Sequence, residues 1–353
     1  MFIQGIGTAT PPFRYTQKEC WDALCRSPFL KNLSSRSQAI LRKVLTGDSG
    51  IETRHFAMSQ LDEAFSVDPN TLHRRFSQNA PEVAAAAARK AIAEAGLQTQ
   101  AIDALIISTC TGYLCPGLTS YVSEKLGLRS NIHLTDLVGH GCGAAMPNLQ
   151  LANALIKSGE AERVLCICVE ICSAAFYLDN DPGVLISACL FGDAAGAVVV
   201  GKEPGRALSR IQWKEYSTVL NPRDRELLRF ETRDGMLRNV LDKSVPVLVV
   251  DHVRVVLEEV LGKSGKRKHQ ISEWILHSGG RDVLAALQSG FELGPEKLRW
   301  SAGVLREFGN VSSPSVIFAL QRALQGKAAA GTWFMSAFGA GISCHGALIE
   351  VSG

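Results

Sequence analysis

Charge of one sign is scarce in this chain of 353 residues: 37 Lys and Arg stand against 34 Asp and Glu, a formal balance of +3. No stripe of basic residues interleaved with aromatics is available to track a phosphate backbone, which argues against nucleic acid as a partner. The densest basic run, Lys263 to His269, holds Ser and Gly between two apolar segments and is expected to be a solvated loop. Gly262, Lys263 and Ser264 look like the tail of a phosphate-binding loop, but Leu257 stands where that motif needs its first glycine. Long apolar runs are missing too. No window approaches the ~18 uninterrupted apolar residues of a membrane span, and the opening MFIQGIGTATPP has neither a basic start nor a sustained apolar stretch. The expectation is a cytoplasmic protein without a membrane span, its ten Cys reduced. Cys166 and Cys168, in a strand-like run, are too close for a CxxC knuckle, so no metal is expected.

What is present is ordinary globular material: 46% hydrophobic and 20% charged residues, enough for two domains or one large α/β body. Residues 81–96 (PEVAAAAARKAIAEAG) predict a helix stopped by Gly96, and Ala104 to Ser108 a buried strand. Strand, glycine-rich turn, helix and strand then follow through DLVGHGCGAA, NLQLANALIKSG and Arg163 to Val169, an alternation that predicts α/β layers. The C-terminal half repeats the unit. WILHSGG (274–280) parallels LIISTCTG (105–112), GNVSSPSVIFALQRALQG echoes GCGAAMPNLQLANALIKSG, and FGAGISCHGALIEV (338–351) matches FGDAAGAVVVG (191–201). Duplication of one α/β half is the simplest reading, with the junction near Pro204 to Ala207 and halves of 1–204 and 205–353.

Three residues can carry chemistry together. Cys142 lies between small residues where a predicted strand turns into a helix, whose N-terminal N–H groups and dipole favour a thiolate. His277 ends the predicted strand WILH, and Asn310 opens the second-copy helix. Under the duplication Cys142 and Asn310 occupy equivalent turns, which pseudo-twofold packing brings face to face. A thiolate can hold an acyl group, while His and Asn can donate hydrogen bonds to the oxygen of an enolate made by decarboxylating a malonyl thioester.

The motifs STCTGYLCPG (108–117), GHGCGAAMPNLQLA (139–152), LFGDAAGAVVVG (190–201), ILHSGG (275–280), FGNVSSPSV (308–316) and FGAG (338–341) resemble those of the thiolase superfamily and, within it, of chalcone-synthase-like type III polyketide synthases. The resemblance spans nearly the whole chain. It implies a five-layered αβαβα thiolase fold built from two duplicated halves, a homodimer, Cys142 as nucleophile, and His277 with Asn310 as decarboxylation and oxyanion residues. Coenzyme A thioesters, an acyl-CoA starter and malonyl-CoA, are the implied substrates, with no further cofactor. Cys110, Thr111, Ser312 and Gly339 are implied beside the substrate, and Cys115 where plant members place a Met that reaches into the partner subunit. Cys172 and Ala175 stand where plant members tend to have Thr, which implies a deeper cavity. Leu237 and Ser209 align with the aromatic gate residues of plant members, so ring-lined selection is expected to be absent and a long alkyl starter to be favoured. Ala340 replaces the usual Pro of the C-terminal loop. The residues that grip coenzyme A phosphates align with Val44 and Asp48, leaving Arg42 and Lys43 as nearby substitutes. Pyrone or resorcinol-type products follow from such an enzyme. A 3-oxoacyl synthase of the fatty-acid initiation type, stopping after one condensation, is the alternative; a papain-type hydrolase is disfavoured by the duplication, and a non-enzymatic scaffold by the presence of Cys142.

Overall fold

The computed structural model describes residues 1–205 and 210–352. Ser209, and Arg206 and Ala207 of the expected junction, lie outside the described residues. The first half runs through β1 (Phe2–Ala9), β2 (Phe13–Thr16), α1 (Gln17–Arg26), α2 (Ser35–Thr46), β3 (Thr53–Phe56), α3 (Pro69–Glu94), β4 (Ala104–Ser108), α4 (Leu118–Leu126), β5 (His133–Leu137), α5 (Ala145–Ser158), β6 (Arg163–Glu170), α6 (Pro182–Leu190) and β7 (Ala194–Gly201). The second comprises β8 (Arg210–Leu220), β9 (Leu228–Arg233), β10 (Met236–Leu241), α7 (Val245–Ser264), β11 (Ile271–Leu276), α8 (Arg281–Gly290), α9 (Arg299–Phe308), α10 (Ser315–Gln325), β12 (Gly331–Gly339) and β13 (Ser343–Ser352).

Strand order carries the duplication. One nine-stranded sheet runs β11-β12-β13-β8-β1-β7-β6-β4-β5. Among the described residues its halves meet where Phe2 and Ile3 of β1 pair with Gln212 and Ile211 of β8, and the Trp213 N–H donates to the Met1 carbonyl at 3.0 Å. Outward from that seam the first half reads β1-β7-β6-β4-β5 and the second β8-β13-β12-β11, the same order without a counterpart of β5. Pairing senses agree as well: β4 with β6 and β11 with β12 are parallel, whereas β1 with β7, β8 with β13, β6 with β7 and β12 with β13 are antiparallel.

Both faces of each half-sheet are covered, which is why its strands read as continuous apolar runs. In β4, Ala104 and Ile106 face a central core with Met146 and Leu149 of α5 and Ile317 and Leu320 of α10. Leu105 and Ile107 face α3 and α4 on the other side. The second half alternates likewise, Trp333 and Met335 pointing to the centre and Phe334 to α7. The resulting layers are helix, sheet, paired central helices, sheet and helix.

Two boundaries differ from the sequence reading. α3 starts at Pro69 rather than at Pro81, because Asp68 caps it and Leu72, Phe76 and Ala80 extend the buried face upstream. α10 starts at Ser315, so Asn310 lies in the loop before the helix instead of opening it. Among the described residues no helix is long and apolar enough to cross a membrane. The alanine run of α3 lets it press onto β1, where a Cβ on Gly7 would stand 2.2 Å from the Ala87 carbonyl oxygen. Gly7→Val should therefore lower stability by about 3 kcal/mol or prevent folding, whereas Gly265→Ala, where φ is +67° and nothing lies within 4 Å, should cost only about 1 kcal/mol. Urea unfolding midpoints of the two variants measure the difference.

Candidate active site

Cys142 sits in a 3-10 turn, Gly141–Gly143, that feeds the N-terminus of α5. The turn is held from behind by β12: a Cβ on Gly339 would lie 2.1 Å from the His140 carbonyl oxygen and 2.5 Å from the Gly143 nitrogen, so only glycine admits this approach. Gly339 therefore seats the cysteine turn from the far side and lines neither of the cavities described below.

Cys142, Asn310 and His277 are joined by a chain of contacts. The Ser312 hydroxyl donates to Cys142 Sγ at 3.2 Å, aimed there by a left-handed backbone with φ of +57°. Ser312 in turn donates its N–H to Asn310 Oδ1 at 2.9 Å, and Asn310 Nδ2 donates to the Gly279 carbonyl at 3.0 Å. Gly279 follows His277 after one residue, and the His277 ring packs edge-on against Phe338 with centroids 4.9 Å apart. Both His277 ring nitrogens are buried without a hydrogen-bond partner. Asn310 keeps one amide hydrogen free, because its other hydrogen goes to Gly279.

Beneath this group lies Glu170, at the C-terminal end of β6 and fully buried. Its carboxylate accepts from the Cys110 N–H at 3.0 Å, the Thr111 hydroxyl at 2.9 Å and the Ser313 hydroxyl at 2.6 Å, with the Cys110 thiol at 3.4 Å. Burial lifts its pKa above the usual carboxylate range, while those donors pull it back. Sequence reading passed Glu170 over, although one signal was present: a carboxylate closing the apolar run VLCICV.

The electrostatics reverse one expectation. A helix terminus alone would depress the Cys142 thiol, but desolvation pushes it up to about 12; the Ser312 hydrogen bond opposes this and the nearby Glu170 charge adds to it. Burial likewise drives His277 down to about 3. Each group, taken alone, is neutral at pH 7. Moving the thiol proton to His277 is uphill for these two groups taken singly, and only attraction between the two resulting charges offsets that cost.

Two cavities lie near this group, the larger reaching the cysteine turn at Gly141 and the inner one reaching Ser312; Cys142, His277 and Asn310 themselves line neither. The larger, about 660 Å³, is walled by Leu72, Phe76, Cys110, Thr111, Phe230 and Leu237, with Gly141 and Ala340 at its floor. The inner one, about 20 Å³, holds little more than one water and is lined by Cys172, Ala175, Phe176, Phe191, Phe230 and Ser312. Cys172 and Ala175 thus border a narrow pocket instead of the deeper cavity expected from their small side chains. Phe176, Phe191 and Phe230, from three separate segments, line that pocket as well. Cys115 is exposed and lines neither cavity. Arg42 and Lys43 are also exposed, on α2, outside both cavity walls, while Asp48 faces Arg281 at 3.7 Å. Among the described residues no group of three or more His, Cys, Asp or Glu is placed to hold a metal ion.

Models of the chalcone and stilbene synthases match this chain, that of the N-terminal domain over residues 2–204 and that of the C-terminal domain over residues 218–352. The chain is similar to a 3,5-dihydroxyphenylacetyl-CoA synthase of Streptomyces toyocaensis, 29% identical over 334 residues that cover 92% of this chain and 82% of that protein. It is also similar to an alpha-pyrone synthesis polyketide synthase-like protein of Mycobacterium tuberculosis, with 27% identity over 99% of this chain and 91% of that one. Among solved structures it resembles PKS-I from the brown alga Ectocarpus siliculosus, with a TM-score of 0.91 and 25% identity over 99% of this chain and 97% of that chain.

Replacing Glu170 tests the hub directly. Glu170→Ala strands the Cys110 N–H and the Thr111 and Ser313 hydroxyls in a buried site, a loss of about 2 to 4 kcal/mol by the cost of unpaired buried donors. Glu170→Gln keeps a carbonyl acceptor and should lose less than half of that, as read from the two urea midpoints.

Proposed function

The chain belongs to the chalcone and stilbene synthase family as a type III polyketide synthase, and we propose that it loads an acyl group from an acyl-CoA onto Cys142, extends it with malonyl units and releases a pyrone or resorcinol-type product. The observation that carries this reading is the contact chain from Cys142 through Ser312 and Asn310 to the Gly279 carbonyl beside His277. In the proposed loading step the Cys142 proton passes to His277, the thiolate attacks the thioester carbonyl, and coenzyme A leaves with that proton. Malonyl-CoA then loses carbon dioxide while the imidazole N–H of His277 and the free amide hydrogen of Asn310 hold the enolate oxygen. The enolate carbon attacks the Cys142 thioester, returning the sulfur as thiolate. The cavity of about 660 Å³ gives a growing chain room, which favours repeated extension over a single condensation.

Its apolar walls also favour an alkyl starter, proposed to lie against Leu72, Phe76 and Leu237, not past Ala175. A homodimer is proposed as well: β5 ends the sheet with an open edge, and Tyr113, Leu134 and Val138 expose 73%, 47% and 60% of their surface nearby. A second copy would cover that patch. Arg42 and Lys43 remain proposals for the coenzyme A phosphates.

Asn310 acts on charge that develops only during decarboxylation, so its loss should spare loading, whereas loss of His277, which takes the Cys142 proton, should slow loading as well. With Asn310→Ala, acyl-Cys142 should still form by mass spectrometry while carbon dioxide release falls about a hundredfold, the equivalent of ~3 kcal/mol; with His277→Ala both should fall. Cys142→Ala should abolish the acyl-enzyme; wild-type loading in that variant would remove Cys142 from the mechanism. For the starter, Leu237→Trp fills cavity space worth about two methylenes, or ~1.6 kcal/mol. Its kcat/KM for long acyl-CoA should drop roughly tenfold relative to short acyl-CoA. An unchanged ratio would place the starter elsewhere.

A further inference from the structure

The wall shared by the two cavities is a two-stranded hairpin, β9 and β10, that among the described residues pairs with no strand of the main sheet. Phe230 of this hairpin borders both cavities, Leu237 the larger and Asn239 the inner one. Opposite it stands the segment from Phe176 to Ala188, which contributes Tyr177, Val184 and Ser187 to the inner pocket. The gap between these two segments is the bore of that pocket.

One side chain, which itself lines neither cavity, ties the two segments together beside that gap. Arg238, its side chain only 10% exposed, places its guanidinium 3.3 Å from Asp179, 2.9 Å from Asp181 and 2.9 Å from Glu231. Asp181 is at the same time the N-cap of α6, its other oxygen accepting from the N–H groups of Gly183 and Val184. The Arg238 contact is thereby transmitted to the helix that carries Val184 and Ser187. Two lesser ties run alongside: Asn239 Nδ2 donates to the Ser187 hydroxyl at 2.6 Å, and the Tyr177 hydroxyl to Asp234 at 3.3 Å. Nearby cations do not replace the arginine. Arg229 pairs with Glu231 at 2.9 Å, Arg233 reaches Asp179 only at 4.0 Å, and Asp181 has no other cationic partner among the described residues. Without Arg238, Asp179 and Asp181 on one wall would face Glu231 on the other as like charges, which drives the walls apart.

We infer that Arg238 is a specificity-determining residue of this synthase: it clamps the β9–β10 hairpin to the Asp179–Asp181 segment and so holds the inner pocket at its narrow bore, which keeps acyl chains out of that pocket and confines them to the larger cavity. It touches neither Cys142 nor the contact chain around it and acts as a positioning residue. The proposal rests on the reading of the chain as an enzyme that loads acyl-CoA, but the closing of the pocket can be read without any substrate.

Cys172 provides that readout, because its thiol lines the inner pocket and is 4% exposed, whereas Cys166 and Cys168, each 1% exposed, lie in the central core. Wild type and Arg238→Gln are treated with N-ethylmaleimide and the labelled peptides quantified by mass spectrometry. The expected result is at least a tenfold faster modification of Cys172 with Cys166 and Cys168 unchanged. In the same variant the ratio of kcat/KM for long over short acyl-CoA starters should rise at least tenfold. Arg238→Lys keeps a cation but cannot span three carboxylates and should fall between the two proteins. If Arg238→Gln does not fold, Asp181→Asn weakens the clamp from the other side while keeping an acceptable N-cap, and should shift both readouts in the same direction by a smaller factor. Unchanged Cys172 labelling in a folded variant, or equal rises at Cys166 and Cys168, overturns the proposal. An open pocket with an unaltered starter ratio overturns the specificity role. Should neither protein accept any acyl-CoA while Cys172 still opens, the clamp stands and the functional reading is what fails.

Discussion

The buried carboxylate of Glu170 is the interaction on which the site depends. Its donors come from both halves of the duplicated fold: Cys110 and Thr111 follow β4 of the first half, and Ser313 precedes α10 of the second. A fully buried carboxylate is tolerated only when its lone pairs are met, so these loops cannot drift independently of one another. Ser312, the neighbour of Ser313, is thereby brought to the Cys142 sulfur, and Asn310 is carried with it. The hub is structural in origin and chemical in consequence.

Dryness is the second constraint. The same burial that makes Glu170 demand hydrogen bonds raises the Cys142 thiol and lowers the His277 imidazole. A pocket of this kind disfavours any new charge that is not met by a partner. The same low polarity strengthens any hydrogen bond made there, and Asn310 keeps an amide hydrogen free while both His277 ring nitrogens lack partners. Left-handed Ser312 adds local backbone strain, which the hydrogen bonds around Glu170 and Asn310 hold in place.

Around this rigid centre the cavity walls are built differently. The floor is part of the layered scaffold, with Gly339 of β12 pressed on the cysteine turn. The roof is a hairpin outside the main sheet, attached through side chains such as Arg238 and Asn239. Scaffold contacts come from dozens of buried apolar residues and tolerate little movement. A roof held by a few polar ties can change its spacing through single substitutions, so substrate preference can vary while the chemistry below stays fixed.

Much of this was legible in the sequence, and the legible part is local. Ala104 to Ser108 reads as a strand because a short apolar run covered on both faces has no other simple use, and β4 has those bounds. The correspondence of WILHSGG with LIISTCTG, and of the segments around Cys142 and Asn310, predicted matching halves; strand order and pairing sense repeat accordingly. Cys142, His277 and Asn310 stand out as residue types at repeated turns. What tertiary structure alone decided is whatever depends on the far side of each group. The thiol is raised rather than depressed because covering segments remove its water, an effect invisible in the residues next to Cys142. Phe176, Phe191 and Phe230 converge on one pocket from distant stretches, so no local pattern announces a ring-lined wall, and the small side chains at Cys172 and Ala175 do not enlarge it. Periodicity and motif encode what a segment does with its own backbone, whereas burial, pKa and cavity shape belong to the meeting of segments, and only the folded chain brings those together.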